Sequence, residues 1–378
     1  MKIEDLKIKT EILCWGIKPS KIVIEEFLKQ NPFCDKRTGN AGVQLLLFDR
    51  KVIVNAPILS KFTQYSPYEL KRLDNGGLYL EKEGGLKVEC DVLESPPWYK
   101  EKISDIEITK FVIQEGINSL IATIYNNCIY KTENVECKFC ALQPSKSIIL
   151  KEELYKDSES LILAIGKAYS SNHHYHLTVT GGNTSKVALN DGDNGIKNYI
   201  RFMECLRKEN SIKVCIEDAP PVDLEDLKHL VNLGTNAFSI NLEIWNEKLR
   251  QLFCPGKSKI KREKYFETWE YIVSLLGKDM VASVLVGGLE SKESTLEGGI
   301  ELLKRGVVPT IVPFRRNDSC YLESFASPNP EEMTWIYLRL GEEMCKHNSK
   351  PWLQPGCTAC AACSVEQDVQ KKIMENYT

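Results

Sequence analysis

Three cysteines stand close together in the stretch CIYKTENVECKFC, at Cys128, Cys137 and Cys140. A closed structural metal site normally has four protein ligands, so an array of three leaves one position open. Three thiolates could bind three irons of a [4Fe–4S] cluster and leave the fourth iron free for an external ligand. Two other interpretations stay open, namely a zinc site with a distant fourth ligand and a redox pair of Cys137 and Cys140.

A second cysteine array lies in the stretch PGCTACAACS, at Cys357, Cys360 and Cys363. Such dense C-x2-C-x2-C spacing is hard to explain by core packing and indicates metal binding. We expect an auxiliary [4Fe–4S] cluster here, with zinc as the alternative. Its fourth ligand would be Cys320 or a substrate atom. We also expect this segment to fold over the active face as a lid.

The other cysteines occur singly and are expected to be ordinary buried or half-buried residues. They are Cys14, Cys34, Cys90, Cys205, Cys215, Cys254 and Cys345. Three histidines, His173, His174 and His176, precede a predicted strand, on the side opposite an active face, and are interpreted as structural. Arg315 and Arg316 follow the last predicted barrel strand. They could bind a carboxylate or phosphate on the substrate, or simply lie in solvent.

The elements that must position these residues follow from the hydrophobic pattern. From SLIATIYNNC onward, short apolar runs alternate with amphipathic helical segments in about six units. This alternation predicts an α/β fold with a partial (β/α)6 barrel of the TIM type. Cys128 would then follow the first barrel strand, at the face where such barrels carry their active sites.

The sequence predicts three regions. Residues 1–117 form an N-terminal β-rich region, in which VQLLLFDRKVIVNAPI and GGLYLEKEGGLKVECDVL each read as two strands. Residues 118–325 form the partial barrel. Residues 326–378 form a C-terminal helix followed by the cysteine-rich extension.

Composition narrows the classes of partner and compartment. The 378 residues include 49 Lys and Arg against 52 Asp and Glu, for a net charge of -3, which gives no reason to expect nucleic acid or an acidic membrane surface. No run approaches the roughly 18 apolar residues of a membrane span, and MKIEDLKIKT is too charged for a signal peptide. We therefore expect a cytoplasmic protein, in which the 14 cysteines are ligands or buried residues and not disulfides.

The cysteine loop, with Phe139 before its last cysteine, and the partial barrel together resemble the radical S-adenosylmethionine (radical SAM) superfamily. The resemblance covers roughly residues 118–315, and the overall layout is similar to that of biotin synthase and lipoyl synthase. The family more often has C-x3-C-x2-C spacing, so the x8 interval here is a departure. By this resemblance, the three cysteines hold an open-site [4Fe–4S] cluster that binds S-adenosylmethionine.

The resemblance also implies cofactor contacts at strand ends. The segment TVTGGN is similar to the family's Gly-Gly-Glu-type segment, which meets the amino group of the methionine moiety, but an asparagine replaces the acid. Polar residues in and after SINLEIW would contact the carboxylate and ribose, although the acid there could equally be an exposed residue. SVLVGGLE resembles the fifth-strand segment near adenine. The residues implied are Thr180, Gly181, Gly182, Asn183, Asn241, Glu243, Arg250, Gly287, Gly288 and Glu290.

The activity implied by the resemblance is reductive cleavage of S-adenosylmethionine to a 5′-deoxyadenosyl radical. That radical would abstract hydrogen from a small-molecule or peptide substrate, with sulfur insertion as one outcome. Such a reaction needs an electron donor such as ferredoxin or flavodoxin. A non-catalytic iron–sulfur electron carrier or redox sensor is the alternative, but it would not require a βα barrel with glycine-rich strand ends.

Overall fold

The structure is a computed structural model and describes residues 2–30, 42–58, 60–126, 128–140, 158–184, 195–317 and 320–375. Cys34 lies outside the described residues. The helices are α1 Ile3–Trp15, α2 Lys21–Gln30, α3 Ile129–Thr132, α4 Ser158–Ser171, α5 Ile196–Glu209, α6 Glu225–Asn232, α7 Glu247–Phe253, α8 Arg262–Leu276, α9 Lys292–Lys304, α10 Pro330–Lys346, α11 Cys357–Cys360 and α12 Glu366–Glu375. Short 3-10 turns occur at Lys61–Tyr65, Pro97–Lys100, Ile108–Lys110, Lys257–Lys259 and Pro351–Leu353.

The strands form three sheets. They are β1 Gly42–Leu47, β2 Val52–Pro57, β3 Tyr68–Arg72, β4 Leu78–Lys82, β5 Lys87–Val92, β6 Lys102–Ile103, β7 Ile106–Glu107, β8 Val112–Glu115, β9 Ser119–Tyr125, β10 His176–Gly181, β11 Lys213–Asp218, β12 Ala237–Ile240, β13 Val281–Gly287 and β14 Val308–Pro313. Strands β6 and β7 form a small antiparallel pair.

The N-terminal sheet is antiparallel, with the strand order β2-β1-β5-β4-β3. Both predicted strand pairs are confirmed, as β1 with β2 and β4 with β5. Two helices that the sequence pattern did not indicate, α1 and α2, pack on this sheet. Helix α1 is buried on most sides, including Lys9 and Thr10, so it lacks the polar face by which an amphipathic helix is found.

The larger sheet has the order β14-β13-β12-β11-β10-β9-β8. Strands β9 to β14 run parallel, and β8 pairs antiparallel with β9. Parallel crossovers are right-handed, so strands added in one direction leave the intervening helices on one face and the other face free. The sheet is open between β14 and β8. The predicted mixed α/β fold with a partial barrel is confirmed in this form.

Side chains alternate between the two faces of each parallel strand. On β11, Val214 and Ile216 belong to the main apolar core beneath the helices, whereas Cys215 and Glu217 face the other side. The inward, concave side of the sheet is therefore lined by polar groups. Within the described residues, no helix is long and apolar enough to cross a membrane.

Candidate functional site

The first cysteine loop leaves the carboxyl end of β9. Cys128 precedes the short helix α3, and the backbone N–H of Ile129 donates to the carbonyl oxygen of Asn183 at 2.7 Å. Because Asn183 follows β10, this bond ties the cysteine loop to the segment TVTGGN. The Cys140 N–H donates to the Cys137 carbonyl at 3.0 Å and forms a tight turn between those two cysteines.

Backbone bonds from two other elements hold the same loop. The Lys138 N–H donates to the carbonyl oxygen of Phe253, at the end of α7, at 2.7 Å. The Gly256 N–H donates to the carbonyl oxygen of Val135 at 2.7 Å. The loop thus lies between the carboxyl ends of β9 and β10 on one side and the end of α7 on the other.

An apolar cluster packs against the loop at Cys137 and Phe139. Its buried members are Ile244, Phe253, Cys254, Val286, Leu289, Phe314, Cys320 and Leu322. Cys254 is buried, as expected from the sequence. Its thiol is hydrogen-bonded to that of Cys137, and this bond, followed by burial, raises the pKa of the Cys137 thiol well above its usual value.

Cys320 also belongs to this cluster beside the first loop, whereas we expected it near the C-terminal array. The N–H of its neighbour Tyr321 donates to the Lys138 carbonyl at 3.0 Å. The sequence places Cys320 after the last barrel strand, but its spacing gives no sign that this segment returns to the first cysteine loop.

The donor set of the first loop suits an iron–sulfur cluster in its chemistry, since three half-buried thiols share one loop at the carboxyl face. Across the described ranges, no three Cys, His, Asp or Glu side chains converge closely enough to hold a metal ion. In the first loop, the Cys137 thiol is engaged with Cys254. Binding of a cluster therefore requires Cys137 to exchange this partner for iron.

A buried ion pair lies beside the loop. Lys257 Nζ is 2.7 Å from Glu243 Oε1, and their side chains are only 11% and 14% exposed. Burial alone would lower the pKa of Lys257, but Glu243, Tyr265 and Cys137 together hold it well above its usual value. In turn, Lys257 acts to lower the thiol pKa of Cys128 and Cys137 against the effect of burial. In sequence, Lys257 reads as an exposed lysine of the turn GKSK.

Glu243 has a positive φ of 74°, a conformation that is strained for a residue with a side chain. Two backbone bonds hold it there. Its N–H donates to the Val284 carbonyl at 3.0 Å, and its own carbonyl accepts from the Val286 N–H at 2.8 Å. Strand β13 thus aims the Glu243 carboxylate at Lys257, on the side of the cysteine loop.

Two residues that were predicted to contact the cofactor, Asn241 and Arg250, form hydrogen bonds within the protein. The Asn241 amide donates to Glu217 Oε1 at 2.7 Å, and its oxygen accepts from Ser239 Oγ at 2.8 Å. Arg250 has no exposed surface, and its guanidinium donates to the backbone carbonyls of Lys257 and Ile260 at 3.1 and 2.7 Å. Arg250 therefore holds the turn that carries Lys257.

The fifth-strand segment also has internal partners. The Glu290 carboxylate accepts from the backbone N–H groups of Trp245 and Asn246 at 3.0 and 2.7 Å. A Cβ on Gly287 would lie 2.6 Å from Met333 Cε, and one on Gly288 would lie 2.7 Å from Pro328 Cβ. Close packing of α10 and the chain before it thus accounts for these glycines.

In the segment TVTGGN, Thr180 pairs with Thr123 of β9, and the register shifts at Gly181. The Gly182 N–H donates to the Tyr125 carbonyl at 3.1 Å. The Asn183 amide donates to Asp218 Oδ1 at 3.4 Å. The segment is therefore joined to the strands on both sides of it.

Glu217 is a site residue that sequence reasoning missed. Burial, and then the charge of Glu243, raise the pKa of its carboxyl. The signal was present in the run KVCIED, because Cys215 and Glu217 are two apart and so share one face of the strand. That face is the concave one.

Arg315, Arg316 and His176 contact other parts of the chain. Arg315 Nη2 donates to the Asn55 carbonyl at 3.0 Å, and Arg316 Nη1 donates to the Phe325 carbonyl at 2.9 Å. His176 Nδ1 accepts from the Gly356 N–H at 2.8 Å, and burial lowers the pKa of this imidazole to about 4. His176 thus contacts the C-terminal segment, in keeping with its interpretation as a structural residue.

The C-terminal array is not a lid over the carboxyl face, and that expectation is wrong. The Cys357 N–H donates to Thr178 Oγ1 in the middle of β10. Cys360 lies against Gly116, where an added Cβ would overlap its sulfur, and Gly116 is in the turn that precedes β9. The array therefore lies on the concave side of the sheet and reaches the amino-terminal end of β9.

A scan against protein-family models and a search of curated proteins give no match. Among solved structures, the chain is similar to HydG, a maturase of the [FeFe]-hydrogenase, with 14% identity over 63% of this chain and 51% of that one and a TM-score of 0.44. It is similar to methylornithine synthase (PylB), with 13% identity over 68% of this chain and 70% of that one and a TM-score of 0.46. It is also similar to coproporphyrinogen III oxidase (HemN) from Escherichia coli, described as a radical SAM enzyme. The identity is 15% over 62% of this chain and 53% of that one, with a TM-score of 0.40. The chain spans about half the length of HydG and HemN.

Proposed function

We propose that this protein is a radical SAM enzyme whose open-site [4Fe–4S] cluster is bound by Cys128, Cys137 and Cys140. The observation that carries the proposal is the joining of two segments by the bond from Ile129 to Asn183. Through it, the three-thiol loop and the glycine segment after β10 meet at the carboxyl edge, where barrels of this type carry out chemistry.

When bound, the cluster would supply the electron that cleaves S-adenosylmethionine, and the cofactor would supply the radical for hydrogen abstraction. The protein's own residues prepare the site. The Lys257 ammonium offsets the negative charge of the thiolates, since a nearby opposite charge favours an ionised group. The apolar cluster packs against Cys137 and Phe139 and covers that side of the loop.

We assign cofactor contacts first to Asn183 and Glu243. Asn241 and Glu290 act indirectly in this proposal, because both polar atoms of each side chain bond within the chain. Arg250 also acts indirectly, because it has no exposed surface. Glu243 bonds to Lys257 through Oε1, and Asn183 bonds to Asp218 through its amide nitrogen. The substrate, a small molecule or peptide, would enter the polar concave side beside Glu217. An external donor such as ferredoxin or flavodoxin would supply the electron, and sulfur insertion remains one candidate outcome for the substrate.

The test is reductive cleavage of S-adenosylmethionine by anaerobically reconstituted protein, measured as 5′-deoxyadenosine and methionine. Each of Cys128→Ala, Cys137→Ala and Cys140→Ala is expected to abolish cleavage. Cys205→Ala, which removes a half-buried thiol from α5, is the matched control and should keep wild-type activity. Full cleavage by the Cys140→Ala variant would overturn the proposal.

A second variant addresses the glycine segment. Gly182→Val places a β-branched side chain at the turn, and we expect it to block S-adenosylmethionine binding while the iron content stays unchanged. If the cluster takes up electrons reversibly but its spectrum does not respond to S-adenosylmethionine, the result favours the electron carrier or redox sensor.

A further inference from the structure

The C-terminal array lies against the inward side of the barrel sheet. Thr178 Oγ1 accepts from the Cys357 N–H at 3.1 Å and is 3.6 Å from the Cys357 sulfur. One residue earlier, the Gly356 N–H donates to His176. Two inward side chains of β10 thus fix the start of the array over the strand.

A further cysteine lies directly beneath this point. A Cβ built on Gly356 would lie 2.7 Å from the Cβ and 3.2 Å from the sulfur of Cys215. Gly356 also has a positive φ of 97°, so both space and backbone conformation require glycine there. The inward Cys215 of β11 is therefore a close neighbour of the residue that precedes Cys357.

The three cysteines of the array differ in exposure. Cys357 retains exposed surface, whereas Cys360 and Cys363 are half-buried. A Cβ built on Gly116 would overlap the sulfur of Cys360. The array therefore packs against the turn that precedes β9.

Buried cations accompany the array. Lys9 Nζ donates to the Ala361 carbonyl, within the array, at 2.7 Å, and Arg315 Nη2 is 3.8 Å from the Cys363 sulfur. Thiolate ligands on a metal carry negative charge, which buried cations stabilise.

We propose that Cys215 is the fourth ligand of a second iron–sulfur cluster held by Cys357, Cys360 and Cys363 on the concave side of the barrel sheet. Four cysteines close the coordination of a [4Fe–4S] cluster, so this centre binds neither substrate nor S-adenosylmethionine. Cys320 has no part in it, because that residue packs beside the first cysteine loop. Binding draws the four thiols together from positions that do not yet converge.

The test uses the full chain with Cys128, Cys137 and Cys140 all replaced by Ala, so that its result is independent of the function proposed for the first loop. After anaerobic reconstitution, we expect this variant to retain bound iron and sulfide and an electron paramagnetic resonance signal on reduction. Adding Cys215→Ala should reduce iron to background. Adding Cys320→Ala, or Cys205→Ala as a control, should leave iron and signal unchanged.

Cys215→Ser provides a second test, which stays informative if the alanine variant fails to fold. A serine keeps the volume and offers an oxygen ligand, so we expect the signal to shift and the iron content to fall only in part. The proposal is overturned if both Cys215 variants keep an unchanged signal, if Cys320→Ala removes the iron, or if the parent variant binds zinc in place of iron.

Discussion

Lys257 and Glu243 form an ion pair of 2.7 Å at the carboxyl edge of the barrel sheet. The carboxylate of the pair belongs to Glu243, whose backbone has a positive φ, and the pair lies beside the first cysteine loop. Its ammonium acts on the thiols of Cys128 and Cys137, and acts to lower their pKa. The pair thus connects the stability of the fold with the metal binding proposed for the loop.

We predict that Lys257→Met destabilises the protein by about 3 to 5 kcal/mol, because it leaves Glu243 as an uncompensated buried charge. It should also reduce cluster loading near pH 7, with recovery at higher pH, since the thiols lose a neighbouring positive charge. Urea unfolding measures the first effect, and iron content against reconstitution pH measures the second.

The double variant Lys257→Met/Glu243→Gln separates these two effects. It removes both charges, so stability should largely return, while cluster loading stays as low as in Lys257→Met. Lys257→Arg, which keeps the charge, is the matched control. Normal loading at pH 7 in the double variant would show that the ammonium does not assist the cysteines.

Cys254 is predicted to be a partner of Cys137 only in the absence of a cluster. Cys254→Ala should therefore retain iron and cleavage of S-adenosylmethionine, whereas Cys137→Ala should lose both. Iron analysis of the two variants side by side checks this. The reverse pattern would identify Cys254 as the true ligand of the loop.

Gly288→Ala is predicted to destabilise the fold through packing and not through the cofactor. The alanine would adopt a positive φ, which costs about 1 to 2 kcal/mol. It would also overpack against Pro328, which costs a further amount of about 1 to 3 kcal/mol. Gly76→Ala is the control, with a φ of 89° and no atom within 4 Å of the added Cβ. Urea unfolding should show the larger loss for Gly288→Ala, and equal losses would contradict the packing explanation.

Glu366 should make stability fall as the pH rises. Burial raises the pKa of its carboxyl from 4.5 to about 7, so the folded state keeps a proton that the unfolded state releases within that window. The loss is complete above pH 7 and amounts to about 3 kcal/mol. Glu366→Gln should therefore be more stable than wild type at pH 8 and similar to it below pH 4.5, as measured by urea unfolding.

An exposed acid provides the comparison for this prediction. Glu204→Gln, at an exposed position of α5, controls for the substitution itself and is measured over the same pH range. A Glu366→Gln variant with the same pH profile as wild type would show that the buried carboxyl does not titrate in this window.

Much of the barrel could be predicted from sequence, because its strands are short apolar runs separated by amphipathic helices such as α5. The same reasoning missed α1, which is buried on most sides. It also missed Lys257, whose partner Glu243 is set by the strained end of a strand. Cys215 and Cys254 are buried as expected. Their contacts with Gly356 and Cys137 could not be predicted, because these residues are distant in sequence and spacing reports only local relations.

Lys9 and Asp368 form a buried ion pair between residues 359 positions apart. Closing so long a loop opposes early formation of the contact, since its entropy cost grows with length, and folding rates fall as contacts become less local. Interactions absent from the transition state change the unfolding rate and leave the folding rate nearly constant. We therefore expect this pair to set the lifetime of the docked C-terminal segment, and with it the time for which the concave side stays covered.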